Sequence, residues 1–175
     1  MKHLFFILFS AITMSLSAQS TDLYSYSFSD IDGNEVAMSQ FKGKKILLVN
    51  VASKCGYTPQ YEDLQNLHKQ YGEKVTIIGF PCNQFMHQEP EDESGIKEFC
   101  QKNFGVEFLM ASKMDVKGDD QHPIYKWLTS KELNGVEDSK VAWNFQKYLI
   151  DENGHYLEKF EPGVKPLDPE LTGKL

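Results

Sequence analysis

The chain has 175 residues, 41% of them hydrophobic, with two Trp and twelve Phe: enough apolar material for one well-packed domain, and too little chain for two of ordinary size. Its formal net charge is −7. Nucleic-acid binding draws its affinity from clustered cations that displace counterions, so this balance argues against such a partner. All 18 cationic side chains are lysine, which leaves no planar, two-pronged group to clamp a carboxylate.

Residues 1–18 differ from the rest: Lys2, then an apolar run from Leu4 to Ile12, then small residues ending in Ser17-Ala18-Gln19. The run is too short to span a bilayer and reads as a secretory signal peptide cut after Ala18. The expected product is one domain over residues 19–175, periplasmic or extracellular, with no stable membrane insertion after cleavage.

Tyr24-Ser25-Tyr26-Ser27-Phe28 alternates polar and aromatic residues, and Asp32-Gly33-Asn34 then turns the chain into Glu35–Met38, which predicts a β-hairpin. The nearly continuous apolar run Ile46–Ala52 predicts a central parallel strand buried on both faces. Thr58-Pro59 predicts an N-cap with proline at the first helical position, followed by Tyr61, Leu64, Leu67, His68 and Tyr71 at helical spacing up to Gly72. A second buried strand is expected at Val75–Phe80, and a second helix with Ile96, Phe99, Cys100 and Phe104 on its inner face. Phe108–Val116 predicts a further strand and Pro123–Leu133 a helix. Phe145–Ile150 and His155–Phe160 predict a closing hairpin around Asp151-Glu152-Asn153-Gly154. Strands alternating with helices imply an α/β sandwich whose functional groups sit beyond the carboxyl ends of the central strands.

Cys55, Cys82 and Cys100 make an odd number in a chain read as exported, which argues against a purely structural disulfide framework. No C-x-x-C or zinc-type spacing occurs, so neither a metal nor another cofactor is expected. Cys55 lies between the central strand and the predicted N-cap. The helix dipole, the unpaired N–H groups of the first turn and neighbouring Lys54 would all favour the thiolate, predicting a pKa below the ~8.5 of a free thiol. A buried structural cysteine is the other reading, and position alone leaves both open.

Three blocks bear on that choice: NVASKCGYTPQY at Asn50–Tyr61, GFPCNQF at Gly79–Phe85 and WNF at Trp143–Phe145. In their order and separation they resemble the glutathione peroxidase family over nearly all of the chain after the leader. The resemblance implies a thioredoxin-like fold, a central mixed sheet flanked by helices with an N-terminal β-hairpin. It puts Cys55 in the place of the peroxide-attacking cysteine or selenocysteine, and Gln84, Trp143 and Asn144 in the places of the groups around the reacting sulfur. Neutral amide and indole donors suit that task, because attack on an O–O bond needs groups that align the reactants and stabilise the departing oxygen. At Met86 the sequence departs from the family, which commonly has Gly after N-Q-F.

The block EFCQKNF around Cys100 resembles the resolving-cysteine segment of the family's thioredoxin-dependent branch. On that resemblance a Cys55 sulfenic acid is captured by Cys100, and the disulfide is reduced by a thioredoxin-like protein; a buried structural thiol is the other reading of Cys100, and Cys82 reads as structural. The helical setting of Cys100 predicts that its helix unwinds before the two sulfurs meet. Glutathione carries two carboxylates, and a chain without Arg is poorly equipped to hold it, so it ranks second as reductant. The short stretch between Pro123 and Trp143 implies a monomer by the same resemblance. A redox relay that passes peroxide oxidation to a partner protein is the alternative function.

Overall fold

The computed structural model describes residues 22–175, and the leader assigned to residues 1–18 lies outside them. β1 (Ser27–Ser29) and β2 (Glu35–Ala37) form the expected antiparallel hairpin. The carboxylate of Asp30 accepts the backbone N–H groups of Asp32 and Asn34 and so fixes its turn. The predicted start of the first strand is corrected, because Leu23–Ser25 form a 3-10 turn. Tyr24 is held away from the hairpin: its hydroxyl donates to the Glu152 carbonyl at 2.8 Å, and its ring lies on Gly154, where a Cβ would stand 2.7 Å from the ring.

The main sheet contains β3 (Lys45–Val51), β4 (Val75–Pro81), β5 (Leu109–Met110), β6 (Lys147–Ile150) and β7 (Tyr156–Phe160) in the order β5-β4-β3-β6-β7. β3 pairs parallel with β4, which pairs parallel with β5; β6 runs antiparallel to both β3 and β7. The helices are α1 (Gln60–Tyr71), α2 (Glu93–Phe104), α3 (Pro123–Thr129), α4 (Lys131–Asn134) and α5 (Pro169–Thr172). Among the described residues no helix is long and apolar enough to cross a membrane.

β3 is buried on both faces, as its unbroken apolar run requires. Ile46 and Leu48 enter a layer with the hairpin and α3, whereas Leu47, Val49 and Val51 enter a layer with α1 and α2. Two predicted elements are shorter than expected. The strand drawn over 108–116 keeps only Leu109–Met110 and a bridge from Ala111 to Asp30. Beyond it Ser112 is drawn to β1, with its N–H on the Ser29 carbonyl and its hydroxyl on that of Asp30. The helix drawn over 123–133 breaks at Ser130, which is extended (φ −115°, ψ 117°), while the N–H of Lys131 turns to the Asp138 carboxylate at 2.8 Å.

Candidate active site

Cys55 lies just past the carboxyl end of β3, 8% exposed, in the layer that α1 and α2 cover. Thr58 shapes its loop, in a way that corrects the predicted cap. The Thr58 hydroxyl donates to the Ala52 carbonyl and accepts from the Cys55 N–H, both at 2.9 Å, and the Thr58 N–H donates to the Cys55 carbonyl at 3.0 Å. Thr58 caps no helix. α1 begins at Gln60, and the N–H groups of Gln60, Tyr61 and Glu62 are already taken by the carbonyls of Tyr57, Thr58 and Pro59. The N–H that meets the sulfur belongs to Tyr57, at 3.4 Å from Sγ. Lys54, expected to lend its charge, is exposed and pairs with Glu91 at 3.2 Å.

The other predicted residues lie on two further segments. Trp143 is half-buried, packs on the Cys55 layer and sets its ring 5.4 Å from that of Phe85. Asn144 is fully buried; its Nδ2 donates to Gln88 Oε1 at 3.0 Å, and its Oδ1 has no partner. Gln84 is turned to the 116–117 backbone: Oε1 accepts the N–H groups of Val116 and Lys117, and Nε2 donates to the Lys117 carbonyl at 2.8 Å. A primary amide carries two N–H bonds, and in Asn144 and Gln84 one of the two is engaged in these contacts. No hydrogen bond joins either side chain to Cys55 in this state.

Residues that sequence reasoning missed tie these pieces together. The Gln88 carbonyl accepts the Lys54 N–H at 2.9 Å, so Gln88 links Asn144 to the Cys55 loop. Glu89 is fully buried beneath that loop, with Oε1 accepting the Ser53 hydroxyl at 2.6 Å and Oε2 unpartnered. Burial raises its pKa against the opposing pull of the Ser53 hydrogen bonds. Asn50 donates to the Trp143 carbonyl at 3.0 Å and accepts the Phe145 N–H on its own carbonyl at 2.6 Å. In the sequence Gln88 and Glu89 lie in a polar run before Pro90 that reads as solvent-facing; only the folding of that run under the 52–58 loop encloses them. Met86 adopts the left-handed conformation (φ 52°) with 76% of its surface exposed. The backbone shape that suits Gly is therefore kept by a methionine.

All three cysteines are free and buried. Cys100 sits in the C-terminal half of α2 in the same layer as Cys55, and Cys82 belongs to the layer on the other side of the sheet. Burial pushes the Cys100 thiol up to about 11, with the Tyr61 hydroxyl opposing and the Glu89 carboxylate adding to the rise. Burial likewise raises Cys82, whose Sγ accepts the Gln84 N–H at 3.4 Å. Among the described residues no group of three or more His, Cys, Asp or Glu is placed to hold a metal ion.

The family model for glutathione peroxidase matches residues 23–129. The chain is 43% identical over 159 residues to glutathione peroxidase-like peroxiredoxin 2 of Saccharomyces cerevisiae, covering 89% of this chain and 98% of that one. Among solved structures, T. cruzi GPX1 superposes with a TM-score of 0.66 at 33% identity, covering 88% and 93% of the two chains. A thioredoxin-family thiol:disulfide interchange protein from Chlorobium tepidum shares the fold at 18% identity, with a TM-score of 0.56 over 86% and 91% of the chains.

Proposed function

The chain belongs to the glutathione peroxidase family, and from that premise we propose that Cys55 attacks the peroxide and that Cys100 resolves the product. The enzyme is a thiol peroxidase, with a hydroperoxide as substrate and a thiol as reductant. In the first step the Cys55 thiolate forms an S–O bond as the O–O bond breaks, and the departing alkoxide or hydroxide takes a proton. The Tyr57 N–H at the sulfur and the amide hydrogens of Asn144 and Gln84, with the Trp143 indole, are the neutral donors this charge shift calls for.

In the second step Cys100 forms an S–S bond with the Cys55 sulfenic acid and water leaves, which prevents further oxidation of Cys55. One observation carries this assignment: Cys55 and Cys100 share an apolar layer, and Cys82 lies across the sheet from both. The experiment is peptide mapping after one equivalent of peroxide. A single Cys55–Cys100 bridge is expected; a bridge to Cys82, or a lasting sulfenic acid without a bridge, removes Cys100 from the cycle.

A thioredoxin-like protein is the proposed reductant, attacking the exposed bridge by thiol exchange, because the chain offers no Arg to hold the carboxylates of glutathione. Turnover with each reductant checks this, and a strong glutathione preference overturns it. The apolar leader supports export, tested by whether the processed protein begins at Gln19, and the short 123–143 stretch supports a monomer.

A further inference from the structure

Lys147 is an amine that the fold buries without an acidic partner in contact. Its side chain is fully enclosed, and it is paired across the sheet with Val49, so it points into the layer that holds Cys55. Among the described residues it forms no salt bridge; Asp63 of α1 acts on it only through space, and burial lowers its pKa to about 7. An enclosed, unpaired ammonium is costly, and a hydrophobic side chain of similar length would fill the space more cheaply.

What Nζ does is hold carbonyls. Nζ donates to the Phe145 carbonyl at 2.7 Å and to the Pro162 carbonyl at 3.3 Å. The Pro162 carbonyl also accepts from Gln60 at the start of α1, at 2.8 Å. Phe145 is left-handed, with φ 67°, a conformation that costs a residue with a Cβ roughly 1–2 kcal/mol. It persists because both sides of the residue are pinned: its N–H by the Asn50 carbonyl at 2.6 Å, its C=O by Lys147. Asn144 is the residue before this kink, so the kink sets where its amide points.

We infer that Lys147 is a positioning residue of the peroxidase reaction: by fixing the Phe145 carbonyl, its Nζ locks the Trp143-Asn144-Phe145 kink and directs the Asn144 amide toward Gln88 and the Cys55 loop. The inference rests on the role given to Asn144 above. Its test is a double-mutant cycle on the rate of Cys55 oxidation by hydrogen peroxide, followed by stopped-flow tryptophan fluorescence in the wild type, Lys147→Met, Asn144→Ala and the double variant, with circular dichroism confirming the fold. Each single change is expected to slow the step roughly ten- to hundredfold, and the double variant to be no slower than Asn144→Ala alone. Losses that multiply in the double variant, or a wild-type rate for Lys147→Met, overturn the inference. A wild-type rate for Asn144→Ala instead shows that the role given to Asn144 is wrong, and the inference falls with it. If Lys147→Met does not fold, Lys147→Leu, which likewise carries no donor for the Phe145 carbonyl, supplies the same comparison with the same outcomes.

Discussion

Thr58 uses one oxygen to close the loop on which the chemistry depends. In Thr58→Val the Cys55 N–H and the Ala52 carbonyl lose their partner in a buried setting, which costs about 1–3 kcal/mol for each group left unsatisfied. Urea denaturation is expected to show that loss, stopped-flow mixing a slower reaction with peroxide, and Thr58→Ser a recovery of both. Met86 presents the opposite case, a residue whose backbone is held at φ 52° while its side chain stands in solvent. Met86→Gly removes a penalty of about 1–2 kcal/mol and gives back about 0.5–1 kcal/mol in chain entropy. A net gain of up to about 1.5 kcal/mol in unfolding free energy is the expected outcome. Cys55 stands out in the sequence through the NVASKCGYTPQY block, since its strand-to-helix position alone leaves a buried structural cysteine open, whereas nothing marks Lys147: a lysine near the start of a predicted hairpin strand reads as solvent-facing until β3, α1 and the 160–162 turn enclose it.

If Cys100 resolves Cys55 as proposed, the C-terminal end of α2 is the element expected to open. Gly105 ends the helix at φ 60°, and its N–H reaches the carbonyls of Cys100 and Gln101. Nothing lies within 4 Å of where a Cβ would stand, so Gly105→Ala costs only the left-handed conformation, about 1 kcal/mol. The expected result is faster hydrogen exchange over residues 100–105 and faster disulfide formation after a first oxidation step of unchanged rate. An unchanged rate for the second step would mean that opening of this end does not limit it. At this scale periodicity found the cores of α1, α2, β3 and β4 because each buries a continuous face. It misplaced the start of α1 because the Thr58 hydroxyl that sequence rules assign to a helix cap is claimed by the loop behind it. It overextended the 108–116 strand because bonds to β1 pull Ser112 out of the sheet.

For the molecule as a whole, Lys147 sets a trend with pH. Its folded pKa of about 7 lies below the 10.5 of an ordinary lysine, so between those limits the unfolded chain binds more protons than the native one. Native stability therefore rises as pH increases through that window. Above about pH 10 the buried phenols of Tyr61, Tyr125, Tyr148 and Tyr156, whose ionisation is pushed up by burial, turn the trend downward. Urea midpoints from pH 6 to 10 should climb in the wild type and stay flatter in Lys147→Met. The division of the cysteines between the two layers also bears on which disulfides can form. Three thiols in one small protein invite shuffling among isomers, yet the five-stranded sheet stands between Cys82 and its would-be partners like a bulkhead. Repeated cycles of oxidation should thus return one isomer each time, with no isomerase needed to correct the pairing.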